Sequence, residues 1–376
     1  MSFDLSHYVP IVKGKQGELA ALSRTGTKLM KHFTPLLEIP PIPPKYVEGQ
    51  EEPIQSKSID AHVEYVGEKF GTTLVDLPSV FVDGLYIETE DELSNGASPV
   101  SAIFEMLRER KIKFIPTVGV DRVEDYVESV KVAVETDKRG CCIRLLESDL
   151  ESIVELAPQV QSLLKVLDLK PKDVDLLLDF GPRVPSKAAL PYQLDALPLV
   201  KEWRSLTVAA SSFPVDMSGV PQNSIAEPER EEWLCWLYLR SRQKSILRMP
   251  NYGDYTINHP VLTEIDPRII NMSPNIRYTG NSSYVLAKGQ AIPRKKKKPT
   301  KEEEEARKKL LPSEQYPKLS AKIKNHSSWK GKSFCWGDKF IDDCSRRDCV
   351  GSATDWRAVG TCHHIAVVVQ QLANLP

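Results

Sequence analysis

The stretch KFIPTVGVDRVEDYVESVKVAVETDKRGCCIRLL (113–146) contains the pattern that decides the fold. It opens with one short apolar run and closes with another, and between them apolar residues recur every three or four positions, as on one face of a helix. Neither apolar run alternates strictly with polar residues, which is typical of parallel strands that are covered by helices. The stretch therefore predicts a strand–helix–strand unit of an α/β fold.

The same alternation recurs along the chain and predicts eight strands. They are Val9–Lys13, Phe33–Ile39, Ser79–Ile87, Lys113–Val120, Cys141–Leu146, Asp175–Phe180, Ser205–Ser211 and Ser245–Met249. Seven helical patterns separate them, and the C-terminal segment 363–376 supplies the closing helix that an eightfold repeat still lacks. We therefore predict a single-domain (β/α)8 barrel of the TIM type, with an open doubly wound sheet as the competing arrangement.

This assignment leaves one long segment outside the repeat. Residues 1–250 carry strands 1–8 and helices 1–7, and 363–376 forms the closing helix, so 251–362 is a large insertion between strand 8 and the C-terminal helix. Connections that follow barrel strands lie on the C-terminal rim, where such barrels build their sites. We expect the insertion to cover the barrel mouth, with the Lys- and Glu-rich segment 293–310 as an exposed charged linker.

Composition excludes several classes of protein. The 376 residues have a net charge of −1, are 41% hydrophobic and contain no apolar run of the length that a membrane span needs. The N-terminus does not resemble a signal peptide and the seven cysteines are odd in number, so we expect a cytoplasmic protein with reduced thiols and no membrane partner. The absence of a glycine-rich nucleotide loop, a nucleophile elbow and an HExxH motif excludes the commonest kinases, dehydrogenases, lipases and metalloproteases.

Charged side chains recur in or beside the apolar strands. They are Lys13, Glu38, Asp83, Arg144, Asp179 and Arg248. Burying a charge is costly unless it is paired or used, so they predict either a functional pocket at the barrel mouth or structural ion pairs between strands. We assign acid–base roles to Glu38 and Asp179, and ligand binding to Asp83 and the three basic side chains. This combination suits phosphoester chemistry and equally suits a non-catalytic anion site.

The insertion and the tail supply further candidates. Ligand-binding roles are assigned to Asp254, Arg277, Tyr278, Trp356, Arg357 and His363. Asp338 with either His364 or His363 is interpreted as an acid–base pair, and the catalytic assignment is placed on Asp338 and His364. The competing interpretation is a hairpin over the barrel rim, with its aromatic side chains and the histidines serving only in packing.

The tail also concentrates thiols and imidazoles. The residues are Cys335, Cys344, Cys349, Cys362, His363 and His364. Thiolates and imidazoles can bind zinc, but no Cys-x-x-Cys pair is present, so no metal ligand is assigned and the cofactor is left unknown.

Three blocks of sequence resemble the phage Beta protein family. They are YVPIVKGKQGELAAL (8–22) with TPLLEI (34–39), RMPNYGDY (248–255) with IRYTGNSSYVLAKG (276–289), and FCWGD (334–338) with DWRAVGTCHHI (355–365). The resemblance implies a context of phages, satellites and bacterial defence loci. The family's namesake is encoded by a satellite phage beside a killer protein, Gop. No catalytic set comes with the family.

Three functions remain open from the sequence. The leading hypothesis is a component of a phage-defence or toxin–antitoxin-like locus that binds and controls a protein encoded by a neighbouring gene. Such binding predicts an apolar patch on the surface of this chain, for example on the Trp233–Tyr238 helix. The alternative is a hydrolase of phosphate-bearing substrates, phosphodiesterase- or nuclease-like, with an accessible cluster of mouth residues; nucleic acid is a weakly supported partner. The third is a structural barrel whose mouth is plugged and whose charges pair with one another.

Overall fold

The computed structural model describes residues 3–87, 92–262, 266, 268, 271–295 and 298–375, and at its centre eight parallel strands close into a barrel. In chain order the strands are β1 (Tyr8–Val12), β2 (Leu36–Glu38), β3 (Val80–Asp83), β4 (Phe114–Val118), β5 (Cys141–Leu146), β6 (Val174–Asp179), β7 (Ser205–Ala210) and β8 (Asn251–Asp254). Each strand pairs with its neighbours in sequence, and β8 pairs with β1. The predicted (β/α)8 barrel is confirmed and the open sheet is excluded.

The eighth strand is a correction to the sequence prediction. It is Asn251–Asp254, whereas the predicted strand Ser245–Met249 contains the end of a single 3-10 turn, followed by irregular chain. Strand β8 has no apolar run in its sequence. Its polar side chains can be buried because they have hydrogen-bond partners; the Asn251 amide, for example, donates to the His7 carbonyl at 3.1 Å. Gly253 allows close packing, since a Cβ there would lie 2.9 Å from the Val9 carbonyl oxygen of β1.

A main helix follows each of the first seven strands, and a four-residue helix, Thr27–Met30, also lies between β1 and β2. The main helices are α1 (Gln16–Arg24), α2 (Ile59–Thr73), α3 (Pro99–Glu109), α4 (Glu124–Asp137), α5 (Ile153–Val166), α6 (Leu190–Asp195) and α7 (Glu231–Ser241). In α4 the apolar stripe includes Tyr126, Val130 and Val134, which are all buried. On α7, Trp233 and Trp236 are also buried, edge-on against Tyr252 of β8, so their rings form no surface patch.

The chain between β8 and the closing helix folds into a second layer. A hairpin of β9 (Asn275–Thr279) and β10 (Tyr284–Lys288) is extended by Ile225–Ala226 from the β7–α7 connection. Three helices follow, α8 (Lys301–Lys308), α9 (Pro312–Lys324) and α10 (Trp336–Ser345). Hairpin, α9 and α10 share a separate apolar core that includes Tyr278, Tyr316, Ile341 and Trp356.

The closing helix, α11 (Ala353–Ala373), is longer than predicted. It begins ten residues before His363, where Ser352 and Asp355 form a capping box. The insertion therefore spans 255–352 rather than 251–362. Most of the helix from Ala358 to Val369 is buried, because the barrel covers one side and the hairpin the other.

In the charged segment 293–310, residues 301–308 form an exposed helix that is capped by Thr300, while residues 296 and 297 lie outside the described part of the chain. The expectation that all cysteines are reduced thiols is wrong for one pair, since Cys344 and Cys349 form a disulfide. Their sulfur atoms are therefore not available as zinc ligands. Within the described residues, no helix has the length and apolarity that crossing a bilayer requires.

A pair of valines on α4 tests the helix assignment. Val130 is 0% exposed and Val132 is 49% exposed on the same helix. We expect Val130→Asp to lower the free energy of unfolding by about 4 kcal/mol or more, because it buries an unpaired carboxylate. Val132→Asp, the matched control, should change it by less than about 1 kcal/mol. Urea denaturation measures both, and equal stability of the two variants would contradict the assignment.

Candidate functional site

Four charged side chains from neighbouring strands meet inside the C-terminal end of the barrel. The guanidinium of Arg144, on β5, donates to Glu38 Oε1 at 2.8 Å, to Asp83 Oδ2 at 2.7 Å and to Asp179 Oδ2 at 2.9 Å. The three carboxylates stand at the last positions of β2, β3 and β6, so the barrel geometry itself brings them together. We call these four residues the ion cluster; all of them are at most 2% exposed.

The ion cluster is closed from above by the first residue of the insertion. The Tyr255 hydroxyl donates to Asp179 Oδ2 at 2.5 Å and accepts from Arg144 Nη2 at 2.8 Å. Burial raises the pKa of the Glu38 carboxyl to about 7, although Arg144 acts in the opposite direction. Lys13, which follows β1, donates to the Pro260 carbonyl, and burial lowers the pKa of its amine to about 8. Both groups therefore change charge near neutral pH.

The two adjacent histidines of α11 face different partners. His364 Nε2 lies 2.8 Å from Asp254 Oδ2, and its Nδ1 lies 2.9 Å from the Thr279 hydroxyl. His363 Nδ1 lies 2.9 Å from Asp338 Oδ2. Of the two alternatives for the partner of Asp338, His364 is wrong: Asp338 pairs with His363, and His364 turns toward the barrel and pairs with Asp254.

Each of these carboxylates also has tyrosine partners. Asp254 accepts from the Tyr8 hydroxyl and, at 2.8 Å, from the Tyr252 hydroxyl. The Tyr278 hydroxyl donates to Asp338 Oδ1 at 2.8 Å, and its ring stacks on His363. Burial lowers the pKa of His364, which keeps its imidazole neutral and able to donate to Asp254 from Nε2. Since all these side chains are buried, the two clusters hold the hairpin and α11 on the barrel.

Beside the ion cluster lies an open cavity of about 270 Å³, which we call the mouth cavity. Its walls come from the connections after β1, β7 and β8, from β9 and from α11. Its charged lining consists of Lys13, Lys15, Arg277 and Arg357 against Glu18 and Asp216. The lining is therefore cationic by two formal charges, and this excess suits an anionic ligand.

The two arginines of the mouth cavity are held by neutral groups. Arg277 Nη1 donates to the Ile257 carbonyl at 2.8 Å, and Arg357 Nη1 donates to Asn258 Oδ1. Burial, together with repulsion from Arg357, lowers the pKa of Arg277. Among the described residues no carboxylate forms an ion pair with Arg277. A bound anion would supply the missing negative charge.

The structure sorts the predicted site residues into groups. Glu38, Asp83, Arg144 and Asp179 meet in the ion cluster, whereas Lys13, Arg277 and Arg357 line the mouth cavity. Trp356 packs in the core of the insertion, with its indole N–H on the Val350 carbonyl.

Arg248 is a correction, because it lies at the opposite end of the barrel. Its guanidinium donates to the carbonyls of Val200, Trp203 and Arg204, just before β7 begins. Its predicted place at the mouth followed from the wrong eighth strand.

Three polar residues of the site were not assigned as site residues from the sequence, although Glu18 is among the motif positions of the family resemblance. Glu18 is buried and accepts from the Asn258 amide at 2.7 Å and from the backbone N–H of Lys13 at 3.0 Å. The third is Tyr255. Glu18 stands in the first family block and Tyr255 in the second, which was the available signal, while Asn258 follows the second block without any distinguishing pattern.

Removing the centre of the ion cluster tests its structural role. We expect Arg144→Met to lower the free energy of unfolding by about 3–5 kcal/mol, because it removes the cation shared by three buried carboxylates, of which Asp83 keeps an ion pair with Arg122 at 3.3 Å. Arg183 is the matched control, since its ion pair with Glu147 is exposed, and Arg183→Met should cost less than about 1 kcal/mol. Urea denaturation at neutral pH compares them. An equally small loss in both variants would argue against a structural cluster.

The sequence and the structure were compared with solved structures, curated proteins and protein families. A solved structure described as "Crystal Structure of SacUVDE" is similar over 67% of this chain and 94% of its own, with 12% sequence identity and a TM-score of 0.26. No curated protein matches the sequence. The family described as "Beta protein" matches residues 8–370, which contain all three blocks quoted above. The chain therefore belongs to the Beta protein family.

Proposed function

We propose that this protein binds a phosphate-bearing ligand in the mouth cavity. We further propose that, in a phage-defence or toxin–antitoxin-like locus, it binds and controls a partner protein encoded by a neighbouring gene. Membership of the Beta protein family fits a phage-associated protein. The observation that carries the ligand proposal is the cationic lining of the mouth cavity, in which Arg277 has no carboxylate partner among the described residues.

Charge supports an anion rather than a neutral ligand. Arg277 and Arg357 repel each other, and burial further disfavours the charged form of each. An anion between them would relieve this repulsion and accept charge-assisted hydrogen bonds, and the planar guanidinium group is well suited to two phosphate oxygens. Lys13 and Lys15 would add two further positive charges to the lining of the same cavity.

Size supports a small ligand. The cavity volume of about 270 Å³ lies near the lower end of the range for small-molecule sites, which begins at about 300 Å³. A nucleotide phosphate or another small phosphate ester suits this volume. A nucleic acid would insert only a terminal phosphate, so it remains the weaker proposal.

Hydrolysis of the bound ligand is the second candidate, and one observation favours it. Glu38 lies beside Lys13, its Oε2 accepts no hydrogen bond within the described residues, and its pKa of about 7 suits a general base at neutral pH. Against this candidate, Glu38 is fully buried and Arg144 holds its other oxygen. Binding without turnover therefore has the stronger support.

Pyrophosphate is a suitable probe for the mouth cavity. Calorimetric titration at constant ionic strength should detect binding by the wild type, and Arg277→Gln should weaken it at least about tenfold by removing a charged hydrogen-bond donor. Lys15→Gln should weaken binding less, since Lys15 is exposed. Arg183→Gln removes an exposed cation that does not line the cavity and should leave the affinity unchanged.

Two outcomes of this titration would overturn the ligand proposal. One is the absence of pyrophosphate binding by the folded wild type. The other is equal affinity of wild type and Arg277→Gln. Release of inorganic phosphate from pyrophosphate, abolished by Glu38→Gln, would favour the hydrolase over the binding protein.

Co-expression with the product of the neighbouring gene tests partner control. If ligand binding drives control, wild type and Arg183→Gln suppress that product's toxicity and Arg277→Gln does not. Protection by Arg277→Gln would assign control to a surface outside the mouth cavity. Failure of the wild type to protect would reject partner control.

A further inference from the structure

A thiol, a carboxylate and an imidazole converge at the junction of α10 and α11, away from the ion cluster. Cys335 Sγ, one oxygen of Asp338 and one nitrogen of His363 all lie within 4.8 Å of one another. Cys335 lies 3.0 Å and His363 Nδ1 lies 2.9 Å from the same atom, Asp338 Oδ2. Cys335 is the residue before α10 and Asp338 is in its first turn, so one helix start supplies two of the groups.

The remaining polar atoms of these groups are fixed by neighbours. His363 Nε2 lies 3.0 Å from the Thr279 carbonyl, which can only accept a hydrogen bond. Nε2 is therefore the donor of this hydrogen bond, and Nδ1 faces the other two groups. The Tyr278 hydroxyl donates to Asp338 Oδ1, so Oδ2 is the oxygen that faces Cys335 and His363. Metal-binding histidines and carboxylates are oriented by outer contacts of this kind.

A further thiol lies beside Cys335, outside the group of three. It belongs to Cys362, one position before His363 on α11, and interacts with the thiol of Cys335. Sulfur, nitrogen and carboxylate oxygen donors together are typical of zinc, which prefers tetrahedral coordination.

We propose that Cys335, Asp338 and His363 bind a structural zinc ion, with the thiol of Cys362 as the fourth ligand. Binding forms two sulfur–zinc bonds and releases the two thiol protons to solvent, while His363 binds as the neutral imidazole. The ion joins the start of α10 to the middle of α11. Through Thr279 and Tyr278 it also fixes β9, the strand that carries Arg277. This proposal stands independently of the ligand in the mouth cavity.

Metal content and cobalt spectroscopy test this proposal on the full chain, kept reduced during purification. We expect about one zinc ion per wild-type chain, and Co²⁺ in its place should give a thiolate-to-cobalt charge-transfer band in the near ultraviolet. Cys335→Ser and His363→Gln should weaken zinc binding at least about 100-fold, because each removes a ligand. Cys235→Ser replaces a buried thiol on α7 and should bind zinc like the wild type.

A variant next to the ligands separates metal binding from general loss of structure. Tyr278→Phe removes the hydrogen bond to Asp338 Oδ1 and keeps the ring, so zinc affinity should fall about 10- to 100-fold with one ion still bound. The proposal is overturned if reduced, folded wild type binds neither zinc nor cobalt, or binds cobalt without the charge-transfer band. If Cys362→Ser leaves zinc affinity unchanged, Cys362 is excluded and the four-ligand form is wrong.

Discussion

The buried guanidinium of Arg144 is the interaction on which the barrel mouth depends. Three carboxylates end β2, β3 and β6, and without Arg144 between them their mutual repulsion would oppose closure of the barrel. Tyr255 then joins this network from the insertion, which ties the second layer of the fold to the first. The charges that mark an active site in many barrels are here satisfied by one another.

This pairing leaves the candidate functional site beside the ion cluster rather than within it. With the ion cluster enclosed, the accessible part of the mouth is the cavity that Lys13, Arg277 and Arg357 line. Arg277 comes from the hairpin and Arg357 from the closing helix, so the cavity exists only once the insertion has packed on the barrel. The His–Asp pairs that hold those two elements in place thereby shape the cavity without lining it.

The sequence was sufficient for the architecture and for the members of the ion cluster, because apolar strands with a charge at the C-terminal end follow a regular pattern. It was misleading at β8, where Asn251 and Asp254 are buried with partners that are distant in sequence. Because the eighth strand was placed wrongly, Arg248 was predicted at the wrong end of the barrel. It also gave no means of telling His363 from His364, since their separate partners depend on how the hairpin packs against α11. Tertiary contacts, rather than local propensity, decide such positions.

The central claim is that the ion cluster is structural and that anions bind beside it, in the mouth cavity. The most direct test is a crystal structure of the wild type soaked in tungstate, a phosphate mimic that is visible by its anomalous scattering. The account predicts one anomalous peak within hydrogen-bond distance of Arg277 and Arg357, with Arg144 still held by its three carboxylates. A peak at Arg144 that displaces Glu38 or Asp179, or a cavity that stays empty, would contradict it.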